Sequence, residues 1–311
     1  MQIEREGKLL VAVDGSERSL NTARYLAQVP AFHKMKIRLF TVLSGVPEFY
    51  WDLAKEPSPL KPGEGIVAWA HQERERRKAH VEKCREILLE GGYATEQIES
   101  ELHDRKKGVA RDIISEARSG YDAVVLRRRG MTQIVGLVMG SVAQKLIGGL
   151  DFVPVILAGL TPQTNRFLIA YDGSESADKA VDFVCQMLGG SGARVQLTHV
   201  LRSEPHLEAS PDFAGLAEAF MSDAENEMTA LMEKARHRLE TAGFDPASVM
   251  TKVIRGALSR AAAITDEAET GNFSTIVVGR RGLSKVQEFS MGRVGNKIIH
   301  LARMHSVWVV T

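Results

Sequence analysis

An internal repeat constrains this 311-residue chain more than any other feature of its sequence. Residues 8–17 (KLLVAVDGSE) return 158 positions later as residues 166–175 (RFLIAYDGSE). Residues 123–130 (AVVLRRRG) return 152 positions later as residues 275–282 (TIVVGRRG). Because the paired segments keep their order and nearly their spacing, the repeat indicates a duplicated domain.

We predict two domains, residues 1–160 and 161–311, joined near the proline-containing segment 159–165. The length agrees, since a domain takes roughly 150 residues. Hydrophobic residues make up 44% and charged residues 25% of the chain, a balance typical of folded globular domains. Two cysteines, Cys84 and Cys185, are too few for a disulfide framework or a cysteine-based zinc site. Since they fall in different repeats, we expect free thiols.

Charge and hydropathy argue against two classes of partner. The chain has 40 basic and 39 acidic residues, a net charge of +1 and a pI near 7.8. We therefore expect no binding to nucleic acid through an overall basic field. Residues 1–8 are polar, which predicts no signal peptide, and no apolar stretch reaches the roughly 20 residues that span a bilayer. We expect a cytoplasmic protein without a membrane segment.

Short apolar runs alternate with longer amphipathic segments in each half. The runs are typical of buried strands and the amphipathic segments of helices. Strands that alternate with helices form a parallel sheet covered on both faces, joined by right-handed crossovers. We therefore predict an α/β fold with a doubly wound, five-stranded parallel sheet in each half. The strands are expected at 9–13, 37–43, 98–102, 123–126 and 153–158, and at 167–171, 194–200, 249–254, 275–279 and 306–310.

The fifth strand of each half, at 153–158 and 306–310, is apolar. A strand at the edge of a sheet exposes unpaired backbone groups, which proteins normally cover. We therefore predict that the two halves pack on each other through these strands as an intrachain pseudo-dimer. Further homodimerisation of whole chains stays open.

Two features of each half meet at the carboxyl ends of the predicted strands. Asp14 and Asp172 end the first strands, and loops 127–140 and 279–292 lead from the fourth strands into helices. Ligands of doubly wound sheets bind at this edge, and the free N–H groups of a helix start favour phosphate. An aspartate in an Asp-Gly-Ser turn also has a structural role as a turn cap, and both readings stay open.

The two loops share a glycine spacing. The second has the form G-x2-G-x9-G from Gly279 to Gly292, and the first has R-x2-G-x9-G-S from Arg127 to Ser141. Together with the preceding aspartate, this resembles the nucleotide-binding signature G-x2-G-x9-G-[ST] of the universal stress protein family. The resemblance covers both halves. It implies two flavodoxin-like domains of the adenine nucleotide alpha hydrolase-like kind.

The resemblance also implies binding of ATP or a related adenine nucleotide, with Mg²⁺ as the default metal on its phosphates. The nucleoside would lie near the aspartate and the end of the second strand, and the phosphates across the glycine loop and helix start. The implied residues of the second half are Asp172, Val200, Gly279, Gly282, Gly292, Arg293 and Val294. Those of the first half are Asp14, Val42, Gly130, Gly140, Ser141 and Val142.

Each half departs from the family signature at one position. Arg127 replaces the opening glycine of the first loop, where a long side chain either blocks the nucleotide or turns to pair with it. Arg293 replaces the closing Ser or Thr of the second, which removes a hydroxyl but supplies a guanidinium that binds phosphate. We therefore expect the second half to be the better site, holding about one nucleotide per chain, and Gly279→Arg to weaken binding.

Arginines and lysines surround the same edge of each predicted sheet. Surface arginines are usually solvated, but a position at strand carboxyl ends favours anion binding. These residues are Lys106, Lys107, Arg127, Arg128, Arg129, Arg255, Arg280 and Arg281.

The sequence thus predicts a nucleotide-binding regulatory protein of the stress response that presents a different surface to a protein partner when nucleotide is bound. An interaction scaffold with degenerate sites, whose long helices at 66–90 and 212–242 bind partners, stays open. So does a slow ATPase or autophosphorylating protein with Ser141, Ser174 or Ser290 as acceptor. The chain lacks the P-loop motif G-x4-G-K-[ST], and we find no catalytic constellation.

Overall fold

Each half of the chain forms five strands and four α-helices within the residues that the computed structural model describes. These are residues 7–43, 62–128, 140–160, 162–202, 211–282 and 291–311. The strands are β1 Lys8–Ala12, β2 Lys36–Leu43, β3 Ile98–Asp104, β4 Ala123–Arg127, β5 Val155–Ala158, β6 Arg166–Ala170, β7 Arg194–Arg202, β8 Val249–Ala257, β9 Thr275–Gly279 and β10 Ser306–Val310. The helices are α1 Leu20–Gln28, α2 Pro62–Glu90, α3 Val109–Ala117, α4 Ser141–Gly149, α5 Glu175–Leu188, α6 Pro211–Thr241, α7 Arg260–Thr270 and α8 Arg293–Leu301.

All ten strands belong to one sheet, in the order β3-β2-β1-β4-β5-β10-β9-β6-β7-β8. Neighbours are parallel within each half. Within each half the order is 3-2-1-4-5, and it reverses between β1 and β4, and again between β6 and β9. The predicted doubly wound fold is confirmed, and a ligand site is expected where the order reverses.

Helices cover both faces of the sheet because the strand side chains alternate between two cores. Leu9 and Val11 point into one core, and Leu10 between them points into the other. The first core packs against α1, α2, α5 and α6, and the second against α3, α4, α7 and α8. The outer strands β3 and β8 carry charged residues such as Glu99 and Lys252, which protect an exposed edge from further pairing.

The two halves join through their fifth strands, as their apolar sequences predict. β5 and β10 pair antiparallel, with Trp308 opposite Ile156, Val307 opposite Leu157, and Val309 opposite Val155. Each strand thereby gains a backbone partner on both sides and loses its exposed edge. The chain is its own pseudo-dimer.

Trp308 fills the core at this junction. Its indole N–H donates a hydrogen bond to the Tyr25 hydroxyl at 2.7 Å, inside the protein. Its ring lies 5.7 Å from that of Phe32 in the first half, and 5.3 and 5.6 Å from those of Phe167 and Phe183 in the second. Aromatic residues from both halves therefore share one cluster around this side chain.

Neither cysteine forms a disulfide. Cys84 is buried and Cys185 is half-buried. Burial raises the pKa of the Cys84 thiol to about 12 and that of the Cys185 thiol to about 11, so both are protonated at neutral pH. They act as packing residues.

Among the described residues, none of the helices combines the length and the apolar character needed to cross a membrane.

We expect Trp308→Ala to lower the free energy of unfolding by about 3–5 kcal/mol, because it empties the core shared by the two halves. Tyr25→Phe, which removes one hydrogen bond and keeps the ring, should cost about 1 kcal/mol. Urea denaturation followed by circular dichroism measures both. A loss below about 1 kcal/mol for Trp308→Ala would contradict the role given to this junction.

Candidate functional site

A cavity of about 450 Å³ opens in the second half, beyond the carboxyl ends of β6, β7 and β9. It lies where the strand order reverses, the position at which doubly wound sheets bind ligands. Every residue that the sequence analysis assigned to the second half lines it. These residues are Asp172, Val200, Gly279, Gly282, Gly292, Arg293 and Val294.

Asp172 caps its own turn and also borders the cavity. One carboxylate oxygen, Oδ1, accepts a hydrogen bond from the Ser174 N–H at 3.1 Å and so caps the turn. Gly173 between them has φ +73°, a conformation that favours glycine. The other oxygen, Oδ2, lies 2.9 Å from the position that a Cβ at Gly282 would occupy. A side chain at 282 would collide with the carboxylate, so this glycine keeps the loop close to Asp172.

The amino end of α8 forms the opposite wall. Gly292 precedes the helix, and its N–H donates to the Arg280 carbonyl oxygen at 2.8 Å, which closes the base of the loop. Among the residues that the structure describes, no side chain caps this end of the helix. Its first-turn N–H groups and the helix dipole are therefore available to an anion beside Arg293.

Ten further residues line the cavity, and sequence reasoning had singled out only Arg281 among them as a candidate anion ligand. The Nδ1–H of His199 donates to the Tyr171 carbonyl oxygen at 2.8 Å, and burial lowers the pKa of this histidine. His199 is therefore neutral at pH 7, with Nε2 free of a proton. The only sequence feature that could have identified His199 as a lining residue is its position next to Val200. The ten are Ala170, Tyr171, Ala177, Thr198, His199, Arg260, Ile264, Val278, Arg281 and Gly295.

Arg260 reaches the end of the cavity expected to hold the nucleoside. It begins α7 directly after the helix cap Ser259, and its Nε–H donates to the Val200 carbonyl oxygen at 3.3 Å. With Arg281 and Arg293 it gives the wall three guanidinium groups against one carboxylate, Asp172. This charge balance favours a polyanionic ligand.

Arginines of the first half contact Asp14 at the corresponding edge. Asp14 makes the same turn, with its Oδ1 accepting from the Ser16 N–H at 3.1 Å, but its Oδ2 lies 3.4 Å from the Arg127 Nη2. Burial raises the pKa of the Asp14 carboxyl, and hydrogen bonds from Ser16 and the charge of Arg127 outweigh it, so the pKa lies below its ordinary value. Arg77 also donates to the Asp14 backbone carbonyl oxygen. The aspartate is already paired with cations of its own chain.

A second difference lies at the nucleoside end. Ala12 pairs with Phe40 across β1 and β2, just as Ala170 pairs with Thr198 across β6 and β7. Phe40 therefore stands where the second half has the cavity-lining Thr198, and its buried ring packs 5.2 Å from that of His103. A phenyl ring thus occupies the position of a small hydroxyl side chain.

The other first-half candidates lie nearby. Val42 is buried at the end of β2, while Gly140 caps α4 and leaves Ser141 and Val142 exposed at the helix start. Arg129 and Gly130 lie outside the described residues.

Three of the basic residues expected to bind anions have other partners. Arg128 and Arg280 are 5% and 4% exposed and turn away from the strand edge into the opposite half. Arg255 pairs with Glu218 at 3.2 Å and with Glu225 at 3.1 Å, which ties β8 to α6. The sequence could not show this, because each partner lies far along the chain.

Gly279 is required by packing as well as by the cavity. A Cβ there would lie 2.5 Å from the Ser176 carbonyl oxygen, in the first turn of α5. In the first half Arg127 holds this position, and α1 starts only after a 3-10 turn at Glu17–Ser19, whereas α5 starts directly at Glu175. Gly279→Arg would therefore move a helix besides affecting a ligand.

The chain has relatives of known family. A sequence model of the universal stress protein family matches residues 7–157 and again residues 163–311. Universal stress protein YxiE of Bacillus subtilis (strain 168) is 27% identical over 143 residues, which cover 44% of this chain and 93% of YxiE.

Two crystal structures show the same fold over the full length. A universal stress protein from Archaeoglobus fulgidus DSM 4304 aligns with a TM-score of 0.65 at 18% identity, covering 98% of each chain. A protein from Pseudomonas aeruginosa PAO1 aligns with a TM-score of 0.53 at 13% identity, covering 98% of this chain and 92% of its own. The repeat, the ten-stranded sheet and the two family matches lead to one conclusion: the chain belongs to the universal stress protein family and carries two copies of its domain.

Proposed function

We propose that the second half binds an adenine nucleotide, ATP in the first instance, and that the first half does not. The observation that carries this proposal is the single cavity that brings together Asp172, the glycine loop and the start of α8. The phosphates would lie between Arg281, Arg293 and the α8 amino end. The nucleoside would lie toward Val200 and His199.

The proposed role is regulatory. A nucleotide that contacts both the glycine loop and α8 would order them together, and so change the surface that the protein presents to a partner. We place this role in the cytoplasm, in keeping with two cysteines that form no disulfide.

The described residues that line the cavity do not form a magnesium site by themselves. Magnesium prefers carboxylate oxygens, and Asp172 is the one carboxylate among the described residues that line the cavity. No cluster of three or more metal-ligating side chains occurs in the described part of the chain. A Mg²⁺ ion would be held by the phosphates themselves, and the proposal does not depend on it.

The geometry favours binding over phosphate transfer to the serines that the sequence suggested. Ser174 is buried, and its Oγ accepts the Ala177 N–H at 3.2 Å as the cap of α5. Ser141 lies in the first half, where Arg127 pairs with Asp14. Ser290 lies outside the described residues.

Isothermal titration calorimetry with ATP should give about one site per chain, and Arg293→Ala should weaken binding about 10- to 100-fold, the scale of charge-assisted hydrogen bonds. Arg194→Ala is the matched control, because Arg194 is exposed at the opposite, amino end of β7. GTP should bind less tightly than ATP if the cavity discriminates between adenine and guanine. Equal losses for the two variants, or no binding to the wild type, would refute the proposal.

Arg127→Gly should raise the pKa of Asp14 toward its ordinary value, because the variant removes the adjacent positive charge. Carbon NMR of labelled aspartates measures this shift. Phe40 still fills the nucleoside end in this variant, so the stoichiometry should stay at about one, and only Arg127→Gly combined with Phe40→Thr should bind a second nucleotide. A second site in Arg127→Gly alone would show that Phe40 does not block it.

Thr198→Phe copies the obstruction of the first half into the second and should abolish binding. It is a cleaner test than Gly279→Arg, which collides with Ser176 whether or not a nucleotide binds.

A further inference from the structure

Two buried arginines, one from each half, bind the end of a helix in the opposite half. Arg280 follows β9 in the second half, yet its guanidinium donates to carbonyl oxygens at the carboxyl end of α4 in the first half. The distances are 2.8 Å to Leu150, 2.6 Å to Ile147 and 3.3 Å to Gly148. Arg280 lies between Gly279 and Arg281 in the sequence, and both of these neighbours line the cavity.

Arg128 makes the mirror contact. It follows β4 in the first half, and its guanidinium donates to the Ile299 carbonyl oxygen at the carboxyl end of α8 and to the His305 carbonyl oxygen at 3.2 Å. The same arrangement thus occurs twice, once in each direction across the β5–β10 junction.

These contacts suit the groups that make them. The last carbonyl oxygens of a helix lack partners within the helix and carry the negative end of its dipole, which a guanidinium neutralises. Burial lowers the pKa of both arginines, and that of Arg128, at about 10, still lies well above neutral pH. A charged group buried in this way is strongly held to its hydrogen-bond acceptors, because without them the charge would be buried with no compensating partner and no water.

The second-half cavity is fixed to the first half at two points. Near the cavity, the Arg280 carbonyl oxygen accepts the Gly292 N–H, and the side chain of the same residue holds α4. At the far end of α8, Arg128 holds the Ile299 carbonyl oxygen. A shift of the glycine loop or of α8 therefore has to move one of these buried guanidinium groups relative to the helix end that it binds.

We propose that Arg280 and Arg128 are positioning residues that couple nucleotide occupancy in the second half to α4 of the first half. This rests on the proposed function, since it takes an adenine nucleotide as the ligand that orders the glycine loop. The closed first half then serves as the part of the molecule that responds to the ligand. Coupling between two sites is reciprocal, so loosening α4 weakens nucleotide binding to the same extent.

Hydrogen–deuterium exchange with and without ATP tests the coupling in the full chain. In the wild type, ATP should slow exchange in the second-half loop and also across residues 141–150. Arg280→Met keeps an apolar stem of similar size but lacks the donors. It should bind ATP about tenfold more weakly, 1.4 kcal/mol, and lose the ATP-dependent protection of residues 141–150. Arg280→Lys, which keeps a charge, should recover part of that protection.

Arg118→Met is the matched control. Arg118 belongs to the first half, and its guanidinium lies 4.4 Å from the centre of the Phe152 ring, just after α4. This variant should keep the ATP-dependent protection of residues 141–150. The wild-type measurement needs no variant, so it still tests the coupling if Arg280→Met fails to fold.

The outcomes separate the two proposals. Wild-type protein that binds ATP with unchanged exchange at 141–150 overturns the coupling and leaves the proposed function standing. If Arg280→Met keeps the full ATP-dependent protection of residues 141–150, the coupling is likewise overturned and the proposed function stands. Wild-type protein that binds no ATP overturns both.

Discussion

The antiparallel pairing of β5 with β10 is the constraint on which the rest of the structure depends. A five-stranded sheet that ended on the apolar strand Val155–Ala158 would expose both a backbone edge and hydrophobic side chains. The chain covers that edge with its own repeat, and Trp308 fills the core that the two halves share on one face of the sheet. The same junction brings Arg128 and Arg280 within reach of the opposite helix ends. The halves are therefore joined by backbone, aromatic and charged contacts at one place.

Duplication allows the two halves to differ at the carboxyl ends of their strands without loss of the fold, because both keep the same strand order. The clearest difference between the halves concerns one carboxylate oxygen of the aspartate that follows the first strand. The Oδ2 of Asp172 faces a glycine and borders an open cavity, whereas the Oδ2 of Asp14 is paired with Arg127. Phe40 at the position of Thr198 adds a second obstruction. Both changes fill space in the first half and need no alteration of the strands beneath them.

The sequence predicted the strands well because their side chains are buried and their apolar runs are directly visible. The resemblance to the family signature also pointed to seven residues that line the cavity. The sequence analysis did not name Thr198 and Phe40, although the 158-residue offset of the repeat relates these two positions. The register of the sheet shows that they are equivalent. Arg128 and Arg280 were also assigned to anion binding. Their acceptors are helix-end carbonyl oxygens in the other half, and no local pattern reports such a partner.

The central claim is that one half of a duplicated molecule is open to an adenine nucleotide and the other is closed by its own side chains. Photoaffinity labelling with 8-azido-ATP, followed by peptide mapping, tests it most directly, because the reagent marks the residues that surround the base. The account predicts label on second-half peptides that line the cavity, around Thr198–Val200 and Arg260–Ile264, and its loss when unmodified ATP competes. Competed label on the first-half peptides around Phe40 and Val42 would contradict it.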